Sequence, residues 1–353
     1  MIAKGRPGSA PGRAVLFYII RSALLVVGLE MAAPVAPAAD EMPIEAQAVP
    51  LDPVHPDLRK VGALDYVAGF ALMPAPTLLA TKPLAPFGGL SDMTLAQGGD
   101  AILSVSDIGW WWRLRLTRDA QGRLLGVPAA EAAPLRDLAG AALTRKFESD
   151  AESMTQLADG HWLVGFERDH RIWSYSDADP AAALPEGPAA PFAAPAGLRD
   201  LPENNGIEAM AELKDGRVLM LAEGEENAPG DGIGWLGRPG HWGPITIRRN
   251  DGFRPTALAR LSSGDLLLLE RYFTQSRGPG VRISLLPAAQ LVPGARLEPT
   301  LLAQWRLPMT VDNFECIAAD PAPGGGVYLF LLSDDNQNPL QRTLLLQFHW
   351  AGE

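Results

Sequence analysis

Residues 152–167 begin Glu-Ser-Met-Thr-Gln-Leu, turn at Asp159-Gly160 and end in Glu167; residues 208–223 repeat this as Glu-Ala-Met-Ala-Glu-Leu, Asp215-Gly216 and Glu223. In both copies an Asp-Gly pair separates two short apolar runs, which is a strong signal of a β-hairpin. The two glutamates of each copy stand at equal distances from the centre of the turn. The stretch therefore predicts two equivalent hairpins, each with a glutamate on both strands at its open end.

Glutamates at these positions should face each other across the hairpin. Directly paired residues of antiparallel strands project from the same face of the sheet, about 5 Å apart. Two carboxylates at that distance repel each other. We therefore expect an arginine, a shared proton or a bound cation to offset their charge.

Three further copies of the unit are looser. Through glycine turns they lead from Ser91 to Asp107, from Thr256 to Glu270, and from Glu315 to Asp334 and Asp335. The five units begin 48 to 61 residues apart, near the length of a four-stranded propeller blade. The spacing predicts an all-β fold, a β-propeller. Six blades is the favoured number, although only five repeats are clearly visible.

The ends of the propeller domain supply the remaining strands in this interpretation. A sixth blade would use residues 61–80 and the insert at 118–147. Residues 61–73 could also close the ring by pairing with the C-terminal blade. We expect residues 61–353 to form one propeller domain. The glycine-rich stretch 224–240 is predicted to be a loop.

Residues 1–38 have the features of a signal peptide or an N-terminal anchor. Basic residues precede an apolar run, and Ala36-Pro-Ala38 has the small-x-small form of a cleavage site. Arg21 interrupts the apolar run, so an uncleaved anchor is the alternative. Residues 39–60 are rich in proline and alanine and are predicted to be a flexible linker. Export would place the protein in the periplasm or outside the cell.

The composition limits the possible partners. The chain has 353 residues and a formal net charge of −11, which argues against nucleic acid as a partner. Contact with a membrane is expected only if the N-terminal segment is not cleaved. Cys316 is the single cysteine, so no internal disulfide can form, and we expect a buried, inert thiol. We expect a monomer.

The acids at the ends of the repeats are the main candidates for a site. Ca²⁺ prefers hard oxygen ligands in flexible geometry, and a metal could activate water against an ester. Asn205, Asn313 and Asn336 are possible carbonyl ligands. The predicted metal ligands are Asp107, Asp150, Glu152, Glu167, Glu208, Glu223, Glu270, Asp312, Glu315 and Asp334, with Asp335 as a further candidate.

Ion pairing is the alternative reading of the same acids. They could pair with arginines and lock one blade to the next; the available partners are Arg145, Arg168, Arg171, Arg254 and Arg271. Among the predicted ligands, Glu152 and Glu208 are also candidate catalytic groups. His170 is a third, as a general acid or base.

Other catalytic motifs are missing from the sequence. It has no Gly-x-Ser-x-Gly elbow, no His-Glu-x-x-His and no Gly-rich phosphate loop. Serine-esterase, zinc and nucleotide chemistry are therefore disfavoured.

Several phrases resemble the phytase-like family, whose name refers to an esterase-like activity of phytase. They include Phe87-Gly-Gly-Leu-Ser91, Asp150-Ala-Glu152, Asn205-Gly-Ile-Glu208 and Asp312-Asn-Phe-Glu-Cys-Ile317. The resemblance covers roughly residues 60–350. It implies an exported β-propeller of about six blades. Kinship with propellers that hydrolyse phosphate esters implies calcium-dependent cleavage of phosphomonoesters.

The resemblance leaves the reaction open. Beyond residue 38 the chain has only Lys60, Lys82, Lys146 and Lys214, so phytate itself is a doubtful substrate. A metal-dependent hydrolase of small phosphoesters or other esters is the first hypothesis. A propeller that binds a ligand or partner without catalysis, with a structural metal, is the second. A lactonase-like hydrolase is the third.

Overall fold

The computed structural model describes residues 41–76, 85–176, 178–179, 181–224 and 230–352. The helices are short: α1 (Lys146–Ser149) and two 3₁₀ turns, Ala196–Asp200 and Ala288–Gln290. The strands, in chain order, are β1 (Met42–Ala48), β2 (Lys60–Val61), β3 (Leu64–Pro74), β4 (Leu90–Leu95), β5 (Ala101–Ser106), β6 (Trp110–Arg118), β7 (Leu124–Pro134), β8 (Ala151–Gln156), β9 (Trp162–Phe166), β10 (Arg171–Tyr175), β11 (Ala190–Pro191), β12 (Ile207–Glu212), β13 (Val218–Ala222), β14 (Gly232–Arg238), β15 (His241–Ile247), β16 (Arg254–Arg260), β17 (Leu266–Thr274), β18 (Gly278–Leu286), β19 (Arg296–Leu297), β20 (Thr300–Arg306), β21 (Asn313–Pro321), β22 (Val327–Asp334) and β23 (Thr343–Trp350).

The strands form five antiparallel blades. From the inside outward these are β4–β7, β8–β11, β12–β15, β16-β17-β18-β20 and β21-β22-β23-β3, with β19 added in parallel to β15. The inner strands β4, β8, β12, β16 and β21 lie next to one another and close a ring. The all-β propeller prediction is confirmed.

The described chain makes five blades, not six. The residues assigned to a sixth blade are outer strands of two others: β3 pairs with β23 in the last blade, and β7 pairs with β6 in the first. The expected closure through residues 61–73 is therefore present. The ring of inner strands leaves no position for another blade among the residues described.

The segment 39–60, predicted as a flexible linker, contains strand β1. This strand pairs with both β3 and β7 and joins the first and last blades into one ten-stranded sheet. Alternate residues of β1, such as Met42 and Ile44, are buried in the core, which explains why the strand forms. The predicted signal peptide, residues 1–38, lies outside the described residues.

A second local prediction also needs correction. The stretch 224–240 was expected to be a loop, but residues 232–238 form β14, the third strand of the middle blade. Gly234 explains the tolerance for glycine there, because a Cβ atom would lie 2.4 Å from the carbonyl oxygen of Met220. Within the described residues, no helix is long and apolar enough to cross a membrane.

Side-chain hydrogen bonds connect neighbouring inner strands around the ring. The buried Asp92 carboxylate of β4 accepts a hydrogen bond from the Met154 amide of β8 at 2.7 Å, and Ser153 donates to the Ile207 carbonyl of β12 at 2.5 Å. The Cys316 thiol lies 3.4 Å from the Leu90 carbonyl. Cys316 is fully buried, as predicted, and burial raises the pKa of its thiol.

Candidate functional site

A β-bulge interrupts the innermost strand of every blade at the same place. One residue in each inner strand is skipped by the pairing with the second strand. Such a bulge re-aims the side chain of the extra residue and often lies next to a functional site. The five bulge residues are Ser91, Glu152, Glu208, Thr256 and Glu315.

The bulges correct the predicted pairing of the glutamates. Ala151 pairs with Phe166 and Ser153 with Gly165, so Glu152 has no direct partner across the hairpin. Glu167 then follows the last paired residue of β9. The two glutamates of a repeat are therefore not directly opposite. They nevertheless reach one cavity, because both lie at the same end of the blade.

A second set of equivalent positions lies on, or just after, the second strand of each blade, one residue beyond the partner of the residue that precedes the bulge. Four of these positions hold an acid and one, in the fourth blade, holds an arginine. In sequence order they are Asp107, Glu167, Glu223, Arg271 and Asp334. Glu270, which we predicted as a ligand, precedes the equivalent position, Arg271, by one residue.

These positions surround a cavity of about 290 Å³ at one end of the ring. Eight of its lining side chains are acids, four are basic and two are asparagines. The lining consists of Asp107, Asp150, Glu152, Glu167, Glu208, Glu223, Glu315, Asp334, Lys146, Arg168, Arg254, Arg271, Asn204 and Asn336. Eight of the ten predicted metal ligands are thus brought together.

Arginine neutralises part of this acidic set. Glu223 lies 3.0 Å from Arg254 and 2.9 Å from Arg271, whose guanidinium is also 3.3 Å from Glu315. Asp150 lies 2.5 Å from Nε of Arg168. The ion-pair interpretation is therefore correct for three of the eight acids.

Lys146 is a cation of the site that the sequence reasoning missed. Its ammonium group lies 2.6 Å from Asp107 and also contacts Asp150. It belongs to the short helix α1, which brings it to the cavity. One oxygen of Asp107, Oδ1, is buried and has no hydrogen-bond partner among the described residues.

Glu152 and Glu208 form no salt bridge with any described residue, although the Arg271 guanidinium acts on both at longer range. Glu208 is only 4% exposed and lines the cavity, yet it receives no hydrogen bond from any residue described. Burial of a carboxylate without a donor or a cation is unfavourable. These two groups are therefore the ones that most need a positive partner.

The protonation equilibria reflect this crowding. Burial raises the pKa of Glu208 well above its usual range, and the Glu223 carboxylate adds to the shift. Burial and the neighbouring Glu208 do the same to Glu152. Burial raises the pKa of Glu167 to about 7, although the Gly206 amide, which donates to its Oε1, opposes the shift. Burial likewise raises the pKa of Glu315 to about 7, against the effect of Arg271.

Two groups of three acids have the spacing of a cation site. They are Asp150 with Glu152 and Glu167, and Glu167 with Glu208 and Glu223; within each group, one oxygen of every carboxylate lies within 4.8 Å of the others. Oxygens that each lie 2.3–2.6 Å from a Ca²⁺ ion satisfy such a spacing. Glu167 belongs to both groups.

Several predicted site residues lie elsewhere. Glu270 is buried beside Arg282 at 3.3 Å and accepts a hydrogen bond from Ser284, outside the cavity. Asp312 pairs with Arg342 at 3.5 Å. Asp335 accepts hydrogen bonds from the Gly89 amide and the Thr343 hydroxyl, which hold two loops together.

His170 and the asparagines also differ from the prediction. His170 is buried and does not line the cavity; its Nε2 lies 2.9 Å from the Pro202 carbonyl. Asn204, and not Asn205, reaches the cavity, together with Asn336. Asn313 instead bonds Arg271 and Glu315.

The raised pKa values predict an unusual dependence of stability on pH. Between about pH 4.5, the ordinary pKa of glutamate, and about pH 7, the folded protein keeps protons on Glu167 and Glu315 that the unfolded chain has lost. The free energy of unfolding should therefore fall as the pH rises through this interval. Thermal unfolding in a chelator at several pH values checks this. A melting temperature that rises steadily from about pH 5 to pH 7.5 would contradict it.

Comparison with known proteins agrees with this picture. A family model described as "Phytase-like: Esterase-like activity of phytase" matches residues 85–337. These residues include all five inner strands and every residue that lines the cavity. The chain therefore belongs to the phytase-like family. No curated protein sequence matches the chain.

Solved structures with a similar fold are distant in sequence. A gluconolactonase from Xanthomonas campestris is 12% identical, with 90% of this chain and 89% of that chain covered and a TM-score of 0.40. The PQQ-bound aldose sugar dehydrogenase from Streptomyces coelicolor is 13% identical, with 77% and 97% covered and a TM-score of 0.39. Virginiamycin B lyase from Staphylococcus aureus is 10% identical, with 87% and 99% covered and a TM-score of 0.39.

Proposed function

We propose that the protein is a metal-dependent hydrolase, with Ca²⁺ as the cation and small phosphoesters favoured over carboxylic esters as substrates. The observation that carries the proposal is the pairing state of the cavity acids. Four basic side chains face eight carboxylates, and Glu208 is buried in the cavity without a salt bridge or hydrogen bond to any described residue, with Arg271 acting on it only at longer range. A substrate anion alone would increase the repulsion, whereas a divalent cation would remove it.

The charge of the cavity indicates how many cations it can hold. The fully ionised lining carries four more negative than positive charges, because eight acids face four basic groups. Two divalent cations would offset this excess. Glu167 belongs to both groups of three acids, so it would serve as a ligand in each of them.

The groups of the chain itself have distinct roles in this proposal. Glu167, Glu208 and Glu152 supply ligand oxygens, and Arg168, Arg271 and Lys146 hold the remaining acids in place. When bound, the cation supplies a Lewis acid that polarises an ester and lowers the pKa of water.

Glu152 and Glu208 are the candidates to accept the proton of an attacking water. Both carboxylates line the cavity, and neither forms a salt bridge with a described residue, so each keeps an oxygen free to accept a proton. His170 is left out of this role, because it does not reach the cavity.

A binding propeller without catalysis is the second candidate. It is favoured by the arginine pairs, which lock three of the acids and join adjacent blades at Glu223 and Glu315, and by the absence of a histidine from the cavity lining among the described residues. In that case a bound cation would serve stability or ligand recognition. Export to the periplasm and a monomeric state stay predictions.

Hydrolysis of p-nitrophenyl phosphate and p-nitrophenyl acetate, with calcium and with a chelator, separates the two candidates. We expect turnover only with calcium, and a loss of at least tenfold in kcat/KM in Glu208→Gln, since this removes one carboxylate of the site. Glu270→Gln is the matched control, because Glu270 is an equally buried glutamate outside the cavity. Calcium-dependent heat stability without turnover of either ester would favour the binding propeller.

A further inference from the structure

The loop of residues 201–206 covers one side of the cavity. It links the 3₁₀ turn Ala196–Asp200 to the inner strand β12, and it places Asn204 in the cavity lining. Residues 202–204 are exposed to solvent. Leu201 packs on the core at the start of the loop, and hydrogen bonds hold the exposed part.

Three hydrogen bonds join the loop to the β9–β10 turn of residues 167–170, and the Glu223 amide adds a further one by donating to the Gly206 carbonyl at 3.1 Å. The Arg168 amide donates to the Glu203 carbonyl at 3.1 Å, and the Gly206 amide donates to Glu167 Oε1 at 3.1 Å. His170 Nε2 lies 2.9 Å from the Pro202 carbonyl. Three residues of the turn therefore hold three residues of the loop.

Two features show that this contact is specific. Arg168 adopts a left-handed backbone conformation, with φ of 61°, which is uncommon for a residue other than glycine; its amide is one of the donors. A Cβ atom at position 206 would lie 3.1 Å from Cβ and Cγ of Glu167. Glycine therefore permits the close approach of the loop to the turn.

The hydrogen bond of His170 determines the tautomer of its imidazole ring. A carbonyl oxygen can only accept, so Nε2 carries the proton and donates it. The other ring nitrogen, Nδ1, is buried and has no partner among the described residues. The ring is 6% exposed and does not line the cavity, so its contribution must pass through the loop.

We propose that His170 is a positioning residue, which holds the 201–206 loop so that Asn204 presents its side-chain amide to the ligand in the cavity. The amide is an uncharged group in a lining that is otherwise mostly ionic, and it can offer a carbonyl oxygen to a cation or an N–H donor to a substrate oxygen. The part of the proposal that concerns Asn204 rests on the proposed function.

Two substitutions at residue 170 separate the hydrogen bond from the volume of the ring. His170→Gln keeps a nitrogen donor that can reach the Pro202 carbonyl, whereas His170→Leu fills space without a donor. Hydrogen exchange of the Arg168 and Gly206 amides reports on the loop, because both are bonded across the contact. The amide of Leu268, in the core of the fourth blade, shows whether the whole protein remains folded.

We expect His170→Leu to speed the exchange of both amides by roughly tenfold, since one buried hydrogen bond is lost, while Leu268 keeps its protection. Calorimetric titration with calcium should give weaker binding in His170→Leu and in Asn204→Ala. His170→Gln should resemble the wild-type protein in both measurements. Asn204→Ala should leave the exchange of the two amides unchanged.

The proposal is overturned if His170→Leu leaves the loop amides as protected as in the wild-type protein. It is also overturned if His170→Gln behaves like His170→Leu, or if Asn204→Ala binds calcium normally. A wild-type protein that takes up no calcium would instead refute the proposed function. The exchange measurements would still decide whether His170 holds the loop.

Discussion

Arg271→Met should destabilise the protein by about 3–5 kcal/mol in a chelator, because it removes one partner of a buried ion pair. Its guanidinium serves Glu223 and Glu315 and donates to Asn313 at 2.9 Å. Glu315 would lose its only cationic side-chain partner among the described residues. Urea unfolding of the two proteins measures the difference.

Arg254→Met is the matched control. Arg254 contacts only one of the same acids, Glu223, which would keep Arg271 as a partner. We expect a loss of about 1–2 kcal/mol. Calcium should return part of the stability of Arg271→Met, since a bound cation can replace the missing charge. Equal losses in the two variants would contradict the central role of Arg271.

Glu167→Gln should weaken calcium binding by roughly 100-fold or more, because charge count and ligand number set the affinity of a calcium site. Glu167 is the acid shared by both groups of three, so its loss should affect every ion in the cavity. Glu208→Gln removes a ligand from one group only. Calorimetry should then find two ions in the wild-type protein, one in Glu208→Gln and no tight site in Glu167→Gln.

Loss of the Glu208 carboxylate should weaken calcium binding but raise the thermal stability of the metal-free protein. In a chelator, Glu208→Gln should unfold at a higher temperature than the wild-type protein, since an ionised Glu208 is disfavoured by burial and by Glu223. Glu270→Gln, outside the cavity, should bind calcium like the wild type. Unchanged calcium binding in Glu167→Gln would remove this residue from the site.

The sequence contains enough information to predict the propeller. Asp-Gly turns between apolar runs mark the inner hairpins, and the spacing of the repeats matches one blade each. The predicted number of blades was wrong because a blade can take its outer strand from a segment that is distant in the sequence. Strand β3 completes the last blade, and β1 links it to the first. Composition does not reveal such pairings.

The sequence predicted only part of the site. Eight acids converge as expected, because the repeat places them at one end of equivalent hairpins. The bulges were not predicted, since a skipped residue leaves no signature in a single sequence. In the fourth blade the acid stands one residue before the equivalent position, so Glu270 lies in a buried pair with Arg282 and Arg271 takes the cavity position.

Lys146 and Asn204 could not have been found from the repeat pattern. Both lie in segments between blades, on α1 and on the 201–206 loop. In these segments the repeat spacing does not indicate which side chains reach the cavity. Residues 167–171 form a dense charge cluster. Its residues, however, play separate parts: Glu167 lines the cavity, His170 bonds a loop, and Arg171 stacks on Phe166, 4.0 Å from the ring centre.

X-ray diffraction from crystals grown with calcium, recorded where calcium scatters anomalously, tests most directly whether the unpaired carboxylates hold cations. We predict anomalous peaks inside the cavity, within bonding distance of Glu167 and Glu208. A cavity without such peaks at saturating calcium, with Glu208 protonated or bonded to a protein donor, would contradict the account.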